Sequence, residues 1–414
     1  MSGKPESQIV VPWTGWVTSI CVLVGAAFGF ALVATHPALM SDETVHGVQI
    51  WHFYTGGRSI LKRITMVPSY HAILASIAYV TGYYRDTVHR LITLLVGLGL
   101  PWLAYRLAAM YTPATAGRRT LQVFFFPLLY PFFFLIYTDV WALTAVLATQ
   151  LCVMSRRYWL AGIPGLVSVI LRQDMVTWVA LAWLLMAHRE WGVGGWLSDM
   201  RPRLSRLLYQ GAPLLLIMAL QAAFVVWNGG VAVGDRLEHE EGIHVTNGYF
   251  LLLSAWLIIL PQNLAAVPRI MKLPHKPWIV AGVLAGYFLY MGTFNNPHIY
   301  NQSDLPRWLH NRVLGRMTDD AWIRAACYIP MVWMVLTAGV NRFAETRMRW
   351  LFPIAVLSAV LHPLIEPRYN LPAMALFQLW RPELDDRWEN ASLIAGILLS
   401  AGLMFGIVTD RFFL

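Results

Sequence analysis

A chain of 414 residues with 57% hydrophobic and only 13% charged side chains, at a mean hydropathy of +0.54, is too apolar for a water-soluble globule and belongs in a bilayer. Its net charge of +9 comes from basic residues scattered between apolar runs, a distribution that suits cytoplasmic anchoring and not nucleic acid. Three cysteines, Cys21, Cys152 and Cys327, all inside apolar runs and without CxxC spacing, make a disulfide framework unexpected.

In chain order, the first apolar run, about Trp13 to Ala34, has no small-residue cleavage site after it and reads as a retained first span. The polar stretch 35–68 that follows reads as a first outer loop. Its aromatic and amphipathic character, with Val48, Ile50, Trp51, Phe53 and Tyr54, predicts interfacial helices. Arg118-Arg119 and Arg156-Arg157 read as cytoplasmic, with hairpin tips facing outward at Tyr137-Thr-Asp139 and Arg172-Gln-Asp174. A full crossing by Ser69 to Tyr84 conflicts with that topology, because it would leave Arg118 outside, so either that run does not cross fully or a hairpin is miscounted.

Beyond Arg189, basic clusters at Arg201–Arg206, Arg269–Lys276 and Asn341–Arg349 alternate with polar stretches at 229–247 and 295–320, which are predicted to be lumenal or outer loops. Together the runs predict one all-α polytopic membrane domain over 1–414, with about eleven to thirteen transmembrane helices, since backbone groups in lipid must pair within the segment.

The predicted outer face collects ionisable groups: Asp42, Glu43 and His46; Asp139 and Arg172; Asp235, Arg236, His239, Glu240 and His244; His298 and Asp304; Glu366 and Arg368. Such groups at membrane depth are expensive and therefore functional candidates. A zinc site fails on spacing, because His239 and His244 stand five apart where a zinc helix needs four, with Gly242 between them. No Asp-x-Asp is present to hold a divalent ion beside a diphosphate, so no metal and no cofactor is expected. No serine sits in a nucleophile turn. Carboxylates, cations and imidazoles remain, the types used to move a sugar from a lipid phosphate to a hydroxyl. A transporter or flippase of lipid-linked sugars, passing ions through Asp139, Arg172 and Asp174, is the rival reading.

The stretch FVVWNGGVAVGDRLEHEEGIH, residues 224–244, resembles the FVVxNGGxxxGDRxxHExxxH segment of the dolichyl-phosphate-glucose-dependent alpha-1,2-glucosyltransferases, which add the last glucose to the dolichol-linked N-glycan precursor. Asp42-Glu43-Thr-Val-His46, Ile64-Thr65 with Pro68, Tyr137-Thr138-Asp139, Arg172-Gln173, His298-Ile-Tyr300 with Asp304, and Glu366-Pro-Arg368-Tyr369 with Pro372 resemble further family motifs in the same order. After Asp304 the family's NRHYTFY is replaced by Leu-Pro-Arg-Trp-Leu-His-Asn, which puts the acceptor or its register in question.

The resemblance implies the GT-C glycosyltransferase fold in the endoplasmic reticulum membrane, or an inner membrane for a prokaryotic relative. It implies a lumenal or outer site, a polyprenyl (dolichyl) phosphate glucose donor and a lipid-linked oligosaccharide acceptor. Transfer with inversion requires a base opposite the leaving phosphate. The resemblance gives that role to Asp42, with Glu43 as the alternative, while residue type gives phosphate contacts to Arg236, His239 and Arg368. Asp235, Glu240, His298 and Asp304 then bind sugar hydroxyls or orient neighbours, with His46, His244, Arg172, Glu366 and Tyr369 in support. Asn301-Gln-Ser303 is a glycosylation sequon expected to stay unused beside the site.

Overall fold

The computed structural model describes residues 15–36, 38–191, 200–234, 241–302 and 307–414. Among these the chain forms eighteen α-helices and no strand beyond one isolated bridge, Trp308 to Phe413. In the first quarter α1 (Gly15–Ala34) is followed by α2 (Glu43–Tyr54), α3 (Ser69–Thr81), α4 (Asp86–Gly97) and α5 (Gly99–Ala109). The middle holds α6 (Ala116–Phe124), α7 (Asp139–Met154), α8 (Tyr158–Leu171), α9 (Val176–Trp191) and α10 (Met200–Asn228). Next come α11 (Val245–Ile258), α12 (Leu260–Met271), α13 (Lys276–Thr293), α14 (Leu309–Asp319) and α15 (Ala321–Val340). The C-terminal part is α16 (Leu351–Val360), α17 (Leu371–Trp380) and α18 (Asp386–Val408).

Five of these segments are long and apolar enough to cross a bilayer alone: α1, Asp86–Ala109 (α4 with α5), α10 from Leu204, α15 and α18. The α11–α12 pair makes a sixth if its 96° bend lies within one span. Pro261, in the first turn of α12, lacks the N–H that would continue the ladder, which accounts for the break. The protein is thus an all-helical, multi-pass membrane protein. Helix length alone reaches about half of the predicted crossings, because α7 and α8, of 16 and 14 residues, and other apolar runs are too short to cross unaided.

α3, at 13 residues, is shorter than the about 17–25 residues a helix needs to cross a bilayer alone. At its start Ser69 donates to the Ile170 carbonyl at the end of α8, and just past its end the Tyr84 hydroxyl donates to the Gly47 carbonyl on α2. These bonds tie α3 to α8 and α2, with the Tyr84 ring meeting Trp51 edge-on and Tyr54 at a tilt. Gly82, at φ +66°, supplies the left-handed residue that turns the chain out of α3.

Arg118 and Arg119 do sit at the end opposite the candidate site, since α17 runs from beside Tyr369 to Arg381. They are not solvated anchors. Arg118 pairs with Asp386 at 2.8 Å, while Arg119 donates to the Gln378 and Arg381 carbonyls at 2.8 and 2.9 Å. Arg381 in turn pairs with buried Glu389 at 2.6 Å. In an apolar setting such charges persist only when paired and hydrogen-bonded, so this cluster ties α6, α17 and α18 together.

Candidate active site

A cavity of about 600 Å³ opens where the start of α2, the tips before α7 and after α8, and the loop between α16 and α17 converge. The Asp42 backbone N–H donates to the Tyr137 hydroxyl at 3.1 Å, which pins the start of α2 against the α7 tip. Asp42 precedes α2 with its side chain 35% exposed, and it forms part of the cavity wall.

Two guanidinium centres organise the wall. Arg368 donates to Asp42 at 2.9 Å and grips Glu366 with two N–H groups. Its guanidinium lies 5.0 Å from the Tyr137 ring centre. Arg172 donates to Asp139 at 2.7 Å and to Asp174 at 3.0 and 3.2 Å, and Asp174 also meets His362 Nε2 at 3.1 Å. The Tyr369 ring lies between the two centres, 5.7 Å from Arg368 and 5.0 Å from Arg172, and stacks on His362 at 4.6 Å. Each cation is thus matched by two carboxylates, the arrangement that makes buried charge tolerable.

Burial lifts the Glu366 carboxyl to about 7 against the opposing charge of Arg368, with Asp42 adding to the rise. Burial also favours a protonated Asp174, but Arg172 and His362 outweigh it and hold that carboxyl below its usual range. Burial, reinforced by Arg368, pushes both His46 and His310 down to about 3, so both imidazoles are neutral. His46 Nδ1 shares a hydrogen bond of 2.8 Å with His71 Nε2.

Of the predicted site residues, the fold brings Asp42, His46, Arg172, Glu366, Arg368 and Tyr369 to one wall. Glu43 is not on it. Its side chain is fully buried, accepts two N–H groups of Arg90 at 2.6 and 2.9 Å, and caps the backbone N–H groups of Met40 and Ile136 at 2.9 and 2.8 Å. His298 instead caps a short turn, accepting from the Tyr300 N–H at 3.2 Å, and it is Tyr300 that reaches the cavity. His244 precedes α11, with its backbone N–H bonded to the Val360 carbonyl at 2.7 Å, and stands off the wall. Asp235, Arg236, His239, Glu240 and Asp304 lie outside the described residues.

Sequence reasoning missed His71 and Arg63, did not enlist His362, and counted His310 as part of a departure from the motif. His362 ends an apolar run four residues before Glu366, so hydropathy hides it. The sequon residue Asn301 is fully buried. Its amide donates to the Ile365 carbonyl and accepts from the Ile365 N–H, both at 2.9 Å, anchoring the loop that carries Glu366 and Arg368. That side chain is structural and has no room for a glycan.

Curated relatives share the chain's pattern at low identity. A Kluyveromyces lactis protein named Dol-P-Glc:Glc(2)Man(9)GlcNAc(2)-PP-Dol alpha-1,2-glucosyltransferase is 24% identical over 68% of this chain, a match that spans only 57% of that relative's length. Proteins of the same name from Arabidopsis thaliana and Mus musculus are 24% and 23% identical over 72% and 82% of the chain, and over 74% and 83% of their own lengths. No solved structure matches the chain. The model of the DIE2/ALG10 family matches residues 37–191 and 196–379, a span that includes both guanidinium centres and the whole cavity wall from Asp42 to Tyr369, and the chain belongs to that family.

Proposed function

We propose that the protein transfers glucose from a polyprenyl (dolichyl) phosphate glucose to a hydroxyl of a lipid-linked oligosaccharide, forming an alpha-1,2 bond with inversion. The observation that carries this reading is the half-buried Asp42 carboxylate on the wall of a large cavity, one oxygen fixed by Arg368. The acceptor hydroxyl attacks C1 of the glucose from the face opposite the phosphate. The C1–O bond breaks, its electron pair leaves on the phosphate, and the hydroxyl proton passes to Asp42.

Inversion keeps base and leaving group on opposite faces of the sugar. Arg368, bonded to Asp42 itself, therefore holds and orients the base rather than contacting the phosphate, contrary to the role expected from residue type. The endoplasmic reticulum membrane, with the site facing the lumen, follows from the same reading, as does the GT-C fold. The carrier alternative asked Asp139, Arg172 and Asp174 to conduct ions; their mutual pairing on the wall of the Asp42 cavity supports a fixed binding site instead.

Purified protein incubated with polyprenyl-phosphate-glucose and a lipid-linked glycan, followed by linkage analysis of the product, tests the reading. An alpha-1,2-glucosylated product is expected, and absence of transfer with donor and acceptor intact overturns it.

Glu366 adds a pH signature. With its carboxyl raised from an ordinary 4.5 to about 7, the folded protein favours the protonated form, so the stability Glu366 contributes is full below 4.5 and is lost as pH rises through 7. Activity runs the other way. Below about 7 Glu366 is neutral and Arg368 is left with Asp42 as its charged partner, which draws electron density from the base. The rate is expected to fall on the acid side with a midpoint near 7 in the wild type, and Glu366→Gln is expected to remove that limb and leave a low, flat profile. A pH–rate profile unchanged by Glu366→Gln contradicts this.

A further inference from the structure

Arg172 and Arg368 are each saturated by two carboxylates, so neither is available to an incoming phosphate without first breaking buried pairs. The third described cation on the cavity wall is Arg63, in the loop between α2 and α3. Its side chain is exposed and has no hydrogen bond, ion pair or ring contact among the described residues.

The loop that carries it is nevertheless held firmly on both sides. The Leu61 N–H donates to Gln49 at 2.7 Å, and the next-door Ile64 side chain is buried. The Val233 and Gly234 N–H groups donate to the Thr65 and Ile64 carbonyls, each at 2.9 Å. A Cβ at Gly234 would fall 2.5 Å from the Lys62 carbonyl oxygen and 2.6 Å from that of Ile64, so glycine there is what permits the two strands of loop to meet. An unpaired guanidinium is thus presented on a preorganised backbone, at the edge of a cavity whose other arginines among the described residues, Arg172 and Arg368, are neutralised. A planar fork of donors suits phosphate oxygens, and a fixed loop reduces the ordering cost of using it.

We propose that Arg63 binds the phosphate of the polyprenyl-phosphate sugar donor and so sets donor affinity. This inference rests on the glucosyl-transfer reading. Among the described residues Arg63 is the wall arginine not bonded to the base or to the carboxylates beside it, which leaves it free to hold a leaving group on the face of the sugar opposite Asp42, as inversion requires. The electron pair of the broken C1–O bond stays on the departing phosphate, whose negative charge Arg63 offsets; Arg63 transfers no proton.

The test uses the full chain, purified, with Arg63→Gln and Arg63→Lys. Donor saturation curves are expected to show KM for polyprenyl-phosphate-glucose rising roughly ten- to a hundredfold in Arg63→Gln, the range for losing one hydrogen bond to a charged group, with a smaller change in kcat. Arg63→Lys should recover part of the loss, because it keeps the charge and loses the fork. In parallel, direct titration with a short-chain polyprenyl phosphate, without sugar or acceptor, should show tight binding by the wild type and the same-sized loss in Arg63→Gln. Unchanged donor KM and unchanged polyprenyl phosphate binding overturn the assignment, as does a rise confined to the acceptor KM. If the wild type transfers no glucose while Arg63→Gln still loses polyprenyl phosphate binding, the glucosyl-transfer reading fails and the phosphate site stands.

Discussion

Asp42→Asn is expected to reduce glucosyl transfer by about 10²–10⁴-fold, the range for removing a positioned general base. The amide oxygen still accepts from Arg368 across 2.9 Å of space, and the backbone N–H to Tyr137 is untouched, so the loss should appear without unfolding. Steady-state transfer assays on the purified variant, with a melting curve beside them, read both quantities. A variant that folds normally and retains near-normal kcat removes Asp42 from the role of base, whatever the linkage of the product.

Glu43→Gln, one residue along, is expected to behave in the opposite way. Glu43 accepts four hydrogen bonds, two from Arg90 and two from backbone N–H groups, with both side chains of the pair essentially inaccessible. An amide removes the charge and replaces one acceptor oxygen with a donor. Arg90 is then left buried with no carboxylate, keeping the His36 and Ala38 carbonyls and the one remaining amide oxygen as partners. Breaking one side of a buried ion pair costs about 3–5 kcal/mol, because the remaining charge stays desolvated. A large drop in melting temperature is therefore expected, with the surviving folded fraction still active per molecule. A variant as stable as the wild type and catalytically dead would reassign the base to Glu43.

These two neighbours mark the limit of what could be read along the chain. The expected pair Asp42 and Glu43 could not be separated from residue type, since both are carboxylates at the start of an outer-loop helix. Successive positions on a helix point about 100° apart, so one turns to the cavity and the other to Arg90, and only the packed neighbours decide which. His362 and Arg63 were hidden for different reasons. His362 terminates an apolar run and reads as a span end, while Arg63 sits in a polar loop where a lone arginine is unremarkable until the pairing of Arg172 and Arg368 on the same wall is known. Asn301 shows the reverse: a sequon in the sequence, and in the fold a side chain spent on holding Ile365.

Composition and hydropathy by themselves determined that this is a multi-pass helical membrane protein, because burial of apolar surface and satisfaction of backbone groups in lipid are local sums that short windows of sequence already contain. The order of charged motifs along the chain determined which polar residues to suspect. Tertiary structure decided that α3 is tied to α2 and α8, that Arg118 and Arg119 are buried struts, and that Arg368 pairs with Asp42 and Glu366. Those outcomes depend on hydrogen bonds and ion pairs that join residues up to 326 positions apart, as between Asp42 and Arg368, a separation across which no sequence window carries information.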